Sequence, residues 1–184
     1  MFEEIISQIS IHLNRHKIPH MIIGGQAVLL YGEPRLTRDI DITLGVGIDS
    51  LDIVLNIIKE LKLKILLNNA TDFVKRTMVL PMMEEKTGIR VDFIFSFTPY
   101  EQEAIKRANK IDIFGEKVPF ASVEDLIIHK IFAGRPRDLE DVRTIILKNQ
   151  KLDVSYIKKC LKLFDSSGPQ KKFLKTFENM LKTI

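Results

Sequence analysis

The segment HMIIGG at residues 20–25, followed by DIDITL at residues 39–44, constrains this chain more than any other feature. The apolar run begins just after Pro19 and reads as a short buried strand. Two glycines end it. Residues 26–31 are compact and apolar, which predicts a short helix that starts at the glycines and stops at Gly32. Residues 38–44 then alternate, so Asp39, Asp41 and Thr43 share one strand face and Ile40, Ile42 and Leu44 the other. Two carboxylates on neighbouring same-side positions repel, and together they need a counter-charge.

Local signals divide the rest. Phe2, Ile5, Ile6, Ile9 and Leu13 recur at helical spacing and predict a helix over residues 2–16. Asp49 or Ser50 can cap a helix reaching about Leu61, while residues 62–76 are ambiguous. A strand is expected over residues 77–83, with Pro81 placing it at an edge or bulge, and a partner over residues 89–95 after the turn at 85–88. Thr98-Pro99-Tyr100-Glu101 and Ser122-Val123-Glu124-Asp125 are capping boxes, opening helices to about Asn109 and Ala133. Residues 110–120 read as a hairpin turning at Gly115. Helices are expected over residues 137–148 and, on each side of Gly168-Pro169, in the tail. The expected fold is α/β (α+β): a small mixed sheet flanked by helices over residues 1–121, then a helical region over residues 122–184.

The glycines and aspartates suggest a chemistry. Without a Cβ, Gly24 and Gly25 let the backbone approach a bulky anion, and a helix starting there offers free N–H groups to phosphate. Magnesium suits Asp39 and Asp41, because it takes a few carboxylates together with phosphate oxygens and water. A two-metal transfer wants a third acid from a neighbouring strand, and Asp92 in IRVDFIFS is the candidate. Its strand is otherwise mainly apolar, so Asp92 either binds a cation or sits at a solvated strand end.

Composition closes other routes. One cysteine, Cys160, makes a disulfide framework impossible and fits a reducing cytoplasm. The N-terminus does not read as a signal peptide, and no apolar run reaches the length of a membrane helix. The net charge is +4, yet residues 148–184 hold nine lysines against Asp153, Asp165 and Glu178. That lysine-rich tail is a solvated helical surface or a surface for an anionic partner such as RNA. His12 and His16 have metal-pair spacing but no third ligand nearby.

GGQAVLLYG…RLTRDIDI resembles the nucleotidyltransferases of the DNA polymerase β-like superfamily, which carry a glycine pair, an Asp-x-Asp and a third acid. It most resembles the AbiEii-type toxin branch and its uncharacterised relatives. Aminoglycoside and lincosamide nucleotidyltransferases share the pattern. A second block, SVEDLIIHKIFAGRPRDLEDVRTII, is similar to the toxin branch at Lys130, Arg137, Asp138 and Asp141. That branch also has a Lys-x-x-Gly element, and here Lys75-Arg76 lies in that region without the glycine. The resemblance implies that Lys130 contacts nucleotide phosphates and that Asp138 supports the site or the acceptor. Helical spacing puts Asp138 near the buried stripe of residues 137–148, partnered by Lys130, Arg137 or the helix's own N-terminal amides.

The resulting expectation is an enzyme that moves a nucleoside monophosphate from an NTP to an acceptor hydroxyl. Asp39, Asp41 and Asp92 are expected to be catalytic and to hold two Mg2+ ions, or Mn2+. Gly24, Gly25, Arg35, Thr37, Lys130 and Asp138 are expected to bind nucleotide. The expected acceptor is an RNA or tRNA end reached through the lysine-rich C-terminal region, with a cognate antitoxin as partner and no membrane. The alternatives are nucleotidylation of a protein or of a small antibiotic-like molecule, and a non-catalytic nucleotide-binding or antitoxin-like partner on the same fold.

Overall fold

A computed structural model describes residues 1–96, 98–166 and 172–183. The expected break at Gly168-Pro169 lies outside the described residues. The chain divides into two compact units, Met1–Gln26 with Leu36–Ala121, and Ala27–Arg35 with Ser122–Ile184.

The first unit holds a mixed seven-stranded sheet. In chain order its elements are α1 (Phe2–Arg15), β1 (His20–Ile23), the start of α2 (Gly24–Tyr31), β2 (Asp39–Leu44), α3 (Leu51–Glu60), β3 (Lys64–Ile65), α4 (Ala70–Thr77), β4 (Val79–Glu84), β5 (Ile89–Phe95), α5 (Pro99–Arg107), β6 (Asn109–Ile113) and β7 (Glu116–Phe120). The strand order is β3-β4-β5-β2-β1-β7-β6. The pairs β2–β5 and β1–β7 are parallel; the other pairs are antiparallel.

One sheet face is a continuous apolar layer. Ile40, Ile42 and Leu44 lie beside Val91, Phe93 and Phe95, and Leu80 and Met82 pair with Phe93 and Val91. All eight are buried, each contributing roughly 1.5–3 kcal/mol by leaving water. That layer fixes the β2 register, because a slip of one residue would turn Asp39 and Asp41 into it. Beneath α1, His20 is buried: its Nδ1 lies 3.0 Å from the Ile18 carbonyl and its Nε2 3.0 Å from Ser10 Oγ. Burial pushes the His20 pKa down, opposed by the Ile18 contact.

Two expectations needed correction here. The ambiguous stretch 62–76 contains β3 and most of α4, which Asn69 caps by accepting from the Asp72 N–H. Helix α4 runs on through Thr77, and Met78 takes the left-handed conformation, so the strand expected from residue 77 starts at Val79. Pro81 was expected at an edge position or a bulge, but β4 lies between β3 and β5 and pairs with β5 residue for residue. The two-residue β3 pairs only with Met82 and Met83, and Pro81 offers its carbonyl to the Leu66 N–H, so no proline donor is needed there.

The second unit is helical. It comprises the remainder of α2, the segment to Arg35, α6 (Val123–Ala133), α7 (Pro136–Lys148), α8 (Val154–Ser166) and α9 (Phe173–Thr183). Ser122 caps α6 and Gly134 ends it at φ +64°. Leu126, Ile127, Ile128 and Ile131 of α6 are buried, as are Val142 and Ile145 of α7, Ile157 and Leu161 of α8, and Phe177 of α9. The Phe132 ring stacks on Phe173 at 5.2 Å and meets Phe164 edge-on at 5.6 Å. Among the described residues no helix is long and apolar enough to cross a membrane.

Candidate active site

The first unit brings Gly24, Gly25, Thr37, Asp39, Asp41 and Asp92 together around the ends of β1 and β2. Ile23, the last residue of β1, pairs with Asp41. Gly24 follows at φ +64°, and a Cβ there would sit 2.8 Å from the Asp41 Cγ. A Cβ on Gly25 would sit 2.8 Å from the Thr37 Cβ. The glycine pair therefore lets the start of α2 close onto residues 37–41, with the approaching anion at Gly24 being the protein's own carboxylate. Thr37 Oγ1 donates to Asp39 Oδ1 at 2.8 Å, and Gln26 Nε2 donates to the Asp39 carbonyl at 3.4 Å.

The third acid is placed by strand register. In the parallel β2–β5 pair, Asp41 lies opposite Asp92 and Asp39 opposite Arg90. Neighbouring strands lie about 4.8 Å apart, and opposed residues point to the same face. That face thus carries three carboxylates and one guanidinium. Asp39, Asp41 and Asp92 are half-buried. Arg90 Nε donates to Asp92 Oδ1 at 2.8 Å, with the Arg90 side chain 53% exposed and that of Asp92 15%. The hydrogen bond to Asp92 raises the Arg90 pKa above its ordinary value, and the charges of Asp92, Asp39 and Asp41 act in the same direction.

Carboxylate oxygens are the donors that magnesium and manganese take, so the residue types on this face fit such an ion. Their side chains face their own partners, and among the described residues no group of three His, Cys, Asp or Glu converges on an ion position.

The second unit gathers Arg35, Lys130 and Asp138 into a different cluster. Lys130 Nζ lies 2.8 Å from Asp138 Oδ1 and 2.8 Å from Asp141 Oδ2. Arg35 grips Asp141 with two bonds, Nε to Oδ1 at 2.7 Å and Nη2 to Oδ2 at 2.9 Å. Arg135 Nε donates to Asp138 Oδ2 at 2.5 Å. Lys130, Asp138 and Asp141 are 5%, 2% and 4% exposed. Burial alone would raise both carboxyl groups. The Arg135 and Lys130 bonds outweigh it at Asp138, and the Arg35 and Lys130 bonds at Asp141, holding both below the usual carboxylate value.

Sequence reasoning passed over Arg90 and Arg135 as site-related residues, and it named Asp141 only as part of the second block, without a role. Arg90 precedes an acid by two on a strand, a spacing that puts both on one face. Asp141 follows Asp138 by three on α7, which puts both on one helix face. The histidine pair has separate duties: His12 Nδ1 contacts the Gln8 carbonyl at 2.8 Å and His16 pairs with Glu60 at 3.1 Å.

The family model described as "Nucleotidyltransferase of unknown function (DUF6036)" matches residues 1–180. Among curated proteins none matches the chain. Solved structures share the fold. The antibiotic-resistance factor ANT(2'')-Ia in solution is 18% identical with a TM-score of 0.60, the alignment covering 90% of this chain and 91% of that one. ANT(2'')-Ia in complex with adenylyl-2''-tobramycin is 18% identical with a TM-score of 0.61, over 90% and 97%. An antigenic nucleotidyltransferase-like protein from Paracoccidioides brasiliensis is 17% identical with a TM-score of 0.56, over 98% and 91%.

Proposed function

We propose that this chain, which belongs to the nucleotidyltransferase family matched over residues 1–180, moves a nucleoside monophosphate from an NTP to an acceptor hydroxyl at the Asp39–Asp41–Asp92 face. The observation that carries this reading is the parallel register setting Asp41 against Asp92, with Asp39 on the same face and Gly24 closed onto Asp41.

In this reading residues 1–121 are the catalytic core and residues 122–184 the acceptor region. Asp39, Asp41 and Asp92 would hold two divalent ions, Mg2+ or Mn2+, which supply charge neutralisation for the triphosphate and a lowered pKa for the acceptor hydroxyl. The N–H groups of Gly24 and Gly25, at the start of α2, seat phosphate oxygens. Thr37 keeps the Asp39 carboxylate oriented through its 2.8 Å hydrogen bond. The acceptor oxygen attacks the α-phosphorus, its proton passes to Asp92 as general base, and pyrophosphate leaves. Arg35, Lys130 and Asp138, expected from the sequence to bind nucleotide, form one network with Arg135 and Asp141.

The preferred acceptor is an RNA end, in keeping with the AbiEii-type toxin resemblance and a cognate antitoxin. Lys159 and Lys162 of α8 and Lys172, Lys175 and Lys182 in and beside α9 are exposed, with no carboxylate partner among the described residues. Nearby acids are engaged elsewhere: Asp165 accepts from the Phe173 and Leu174 N–H groups, and Glu178 pairs with Lys158. Such a face offers lysines to phosphates and makes RNA binding fall steeply with salt.

The test is incubation of the protein with α-labelled NTPs, Mg2+ and cellular RNA, protein and aminoglycosides, beside Asp39→Ala/Asp41→Ala. Label in RNA from wild type alone supports the reading. Label only in protein or in the antibiotic moves the acceptor to that class, and no transfer by wild type overturns the enzymatic reading. Growth arrest on induced expression, relieved by the double variant, tests the toxin role.

A further inference from the structure

We propose that Arg90 is a resident counter-cation of the carboxylate face, which holds Asp92 in the ion-free protein and competes with a divalent ion for it. This rests on the reading of Asp39, Asp41 and Asp92 as ion ligands.

Three half-buried carboxylates on two adjoining strands cannot stand together without positive charge. The fold supplies it from the same face: Arg90 is opposite Asp39 and two residues before Asp92. Its Nε sits 2.8 Å from Asp92 Oδ1. All three acids stabilise the guanidinium charge, with Asp92 contributing most.

The partners differ in mobility. The Arg90 side chain is 53% exposed on a flexible stem, so it can leave for water at low cost, whereas Asp92, at 15%, stays on the face. A divalent ion brings twice the charge of a guanidinium with no stem to order. When Asp92 turns to such an ion it gives up Arg90. By linkage, whatever the Arg90–Asp92 pair adds to the ion-free state is subtracted from ion affinity. Arg90 is thus a positioning residue that keeps the face folded when empty and sets a threshold for loading it.

Mn2+ binding to the whole protein, followed by the EPR signal of free Mn2+ and by melting temperature, tests this in wild type, Arg90→Gln, Arg90→Lys and Asp92→Asn. Arg90→Gln should bind Mn2+ about fivefold more tightly, the worth of a partly exposed ion pair. It should melt lower than wild type without the ion and gain more from adding it. Arg90→Lys, which keeps the charge, should stay near wild type, and Asp92→Asn should bind weakly. Unchanged or weaker binding by Arg90→Gln, with wild type binding and Asp92→Asn not, overturns the role of Arg90 alone. No Mn2+ binding by wild type or Arg90→Gln overturns the ion site and this inference together.

Discussion

Two clusters of aspartate and basic residues occur in this protein, and they are built on opposite principles. In the helical unit, Lys130, Asp138 and Asp141 are nearly inaccessible, and each is held by two partners of opposite sign. On the sheet face, three half-buried carboxylates lie together, Asp92 taking the exposed Arg90 guanidinium and Asp39 a neutral hydroxyl from Thr37. The first cluster is saturated, so its removal is felt as lost stability. The second sets half-buried acids beside an exposed guanidinium and a neutral hydroxyl, so its removal is expected to cost transfer activity more than stability.

The most direct way to break that contrast is to neutralise the sheet face. Asp39→Ala/Asp41→Ala should lower transfer by at least about 10^3-fold, roughly 4 kcal/mol of transition-state stabilisation. Its melting temperature should be unchanged or higher, because carboxylate repulsion is relieved. A large fall in melting temperature would show the two clusters to be alike after all.

Next in size is Lys130→Ala. It leaves two buried carboxylates without their shared cation, which costs about 3–5 kcal/mol. Equilibrium unfolding in urea measures it. The apolar replacement of the whole charge set is the control, since a saturated network exchanged for packed apolar side chains is often neutral. A loss below about 1 kcal/mol for Lys130→Ala would mean that water already screens the network.

A smaller effect belongs to Gly24→Ala, which sharpens what the glycine pair is for. The added Cβ meets the Asp41 carboxylate, and the backbone is already in the left-handed region at φ +64°. Strain and contact together should cost about 2–3 kcal/mol. Gly115→Ala, also at positive φ but with nothing within 4 Å, isolates the backbone part and should cost about 1 kcal/mol. Equal losses for the two would remove Asp41 from the account.

Elements with strong local signals are legible in the amino-acid sequence. The alternation of residues 39–44 tells which side chains share a face, and the Thr98 and Ser122 capping boxes mark the starts of α5 and α6. Residues 62–76 are not legible, because a two-residue strand and a helix capped by Asn69 leave almost no periodicity. Register is not legible either. That β2 runs parallel to β5 with Asp41 against Asp92 depends on the whole apolar layer. Arg90 therefore reads as a solvated strand residue until β5 is laid beside β2. Asp138 was expected to need a partner, and helical spacing supports that. That Arg135 serves from the N-cap position, and that Asp141 joins through Lys130, are facts of packing between α6 and α7.

The smallest expected effect separates the saturated cluster from another buried group by pH. His20 is held below its ordinary pKa by burial, so the unfolded chain binds its proton first, and stability falls as pH drops below about 6.5. The Asp138 and Asp141 carboxyl groups are held below 3.8, so their contribution is fully present above that value. It is lost only as pH falls through their folded-state values. The difference in unfolding free energy between wild type and Asp138→Asn should therefore stay level from pH 7 to about 4, and close below 3.8. The difference between wild type and His20→Gln should already change between pH 7 and 5. A wild-type-to-Asp138→Asn difference that shrinks between pH 7 and 5 would show the network to be coupled to a histidine, and the cluster would then not be saturated by its own cations.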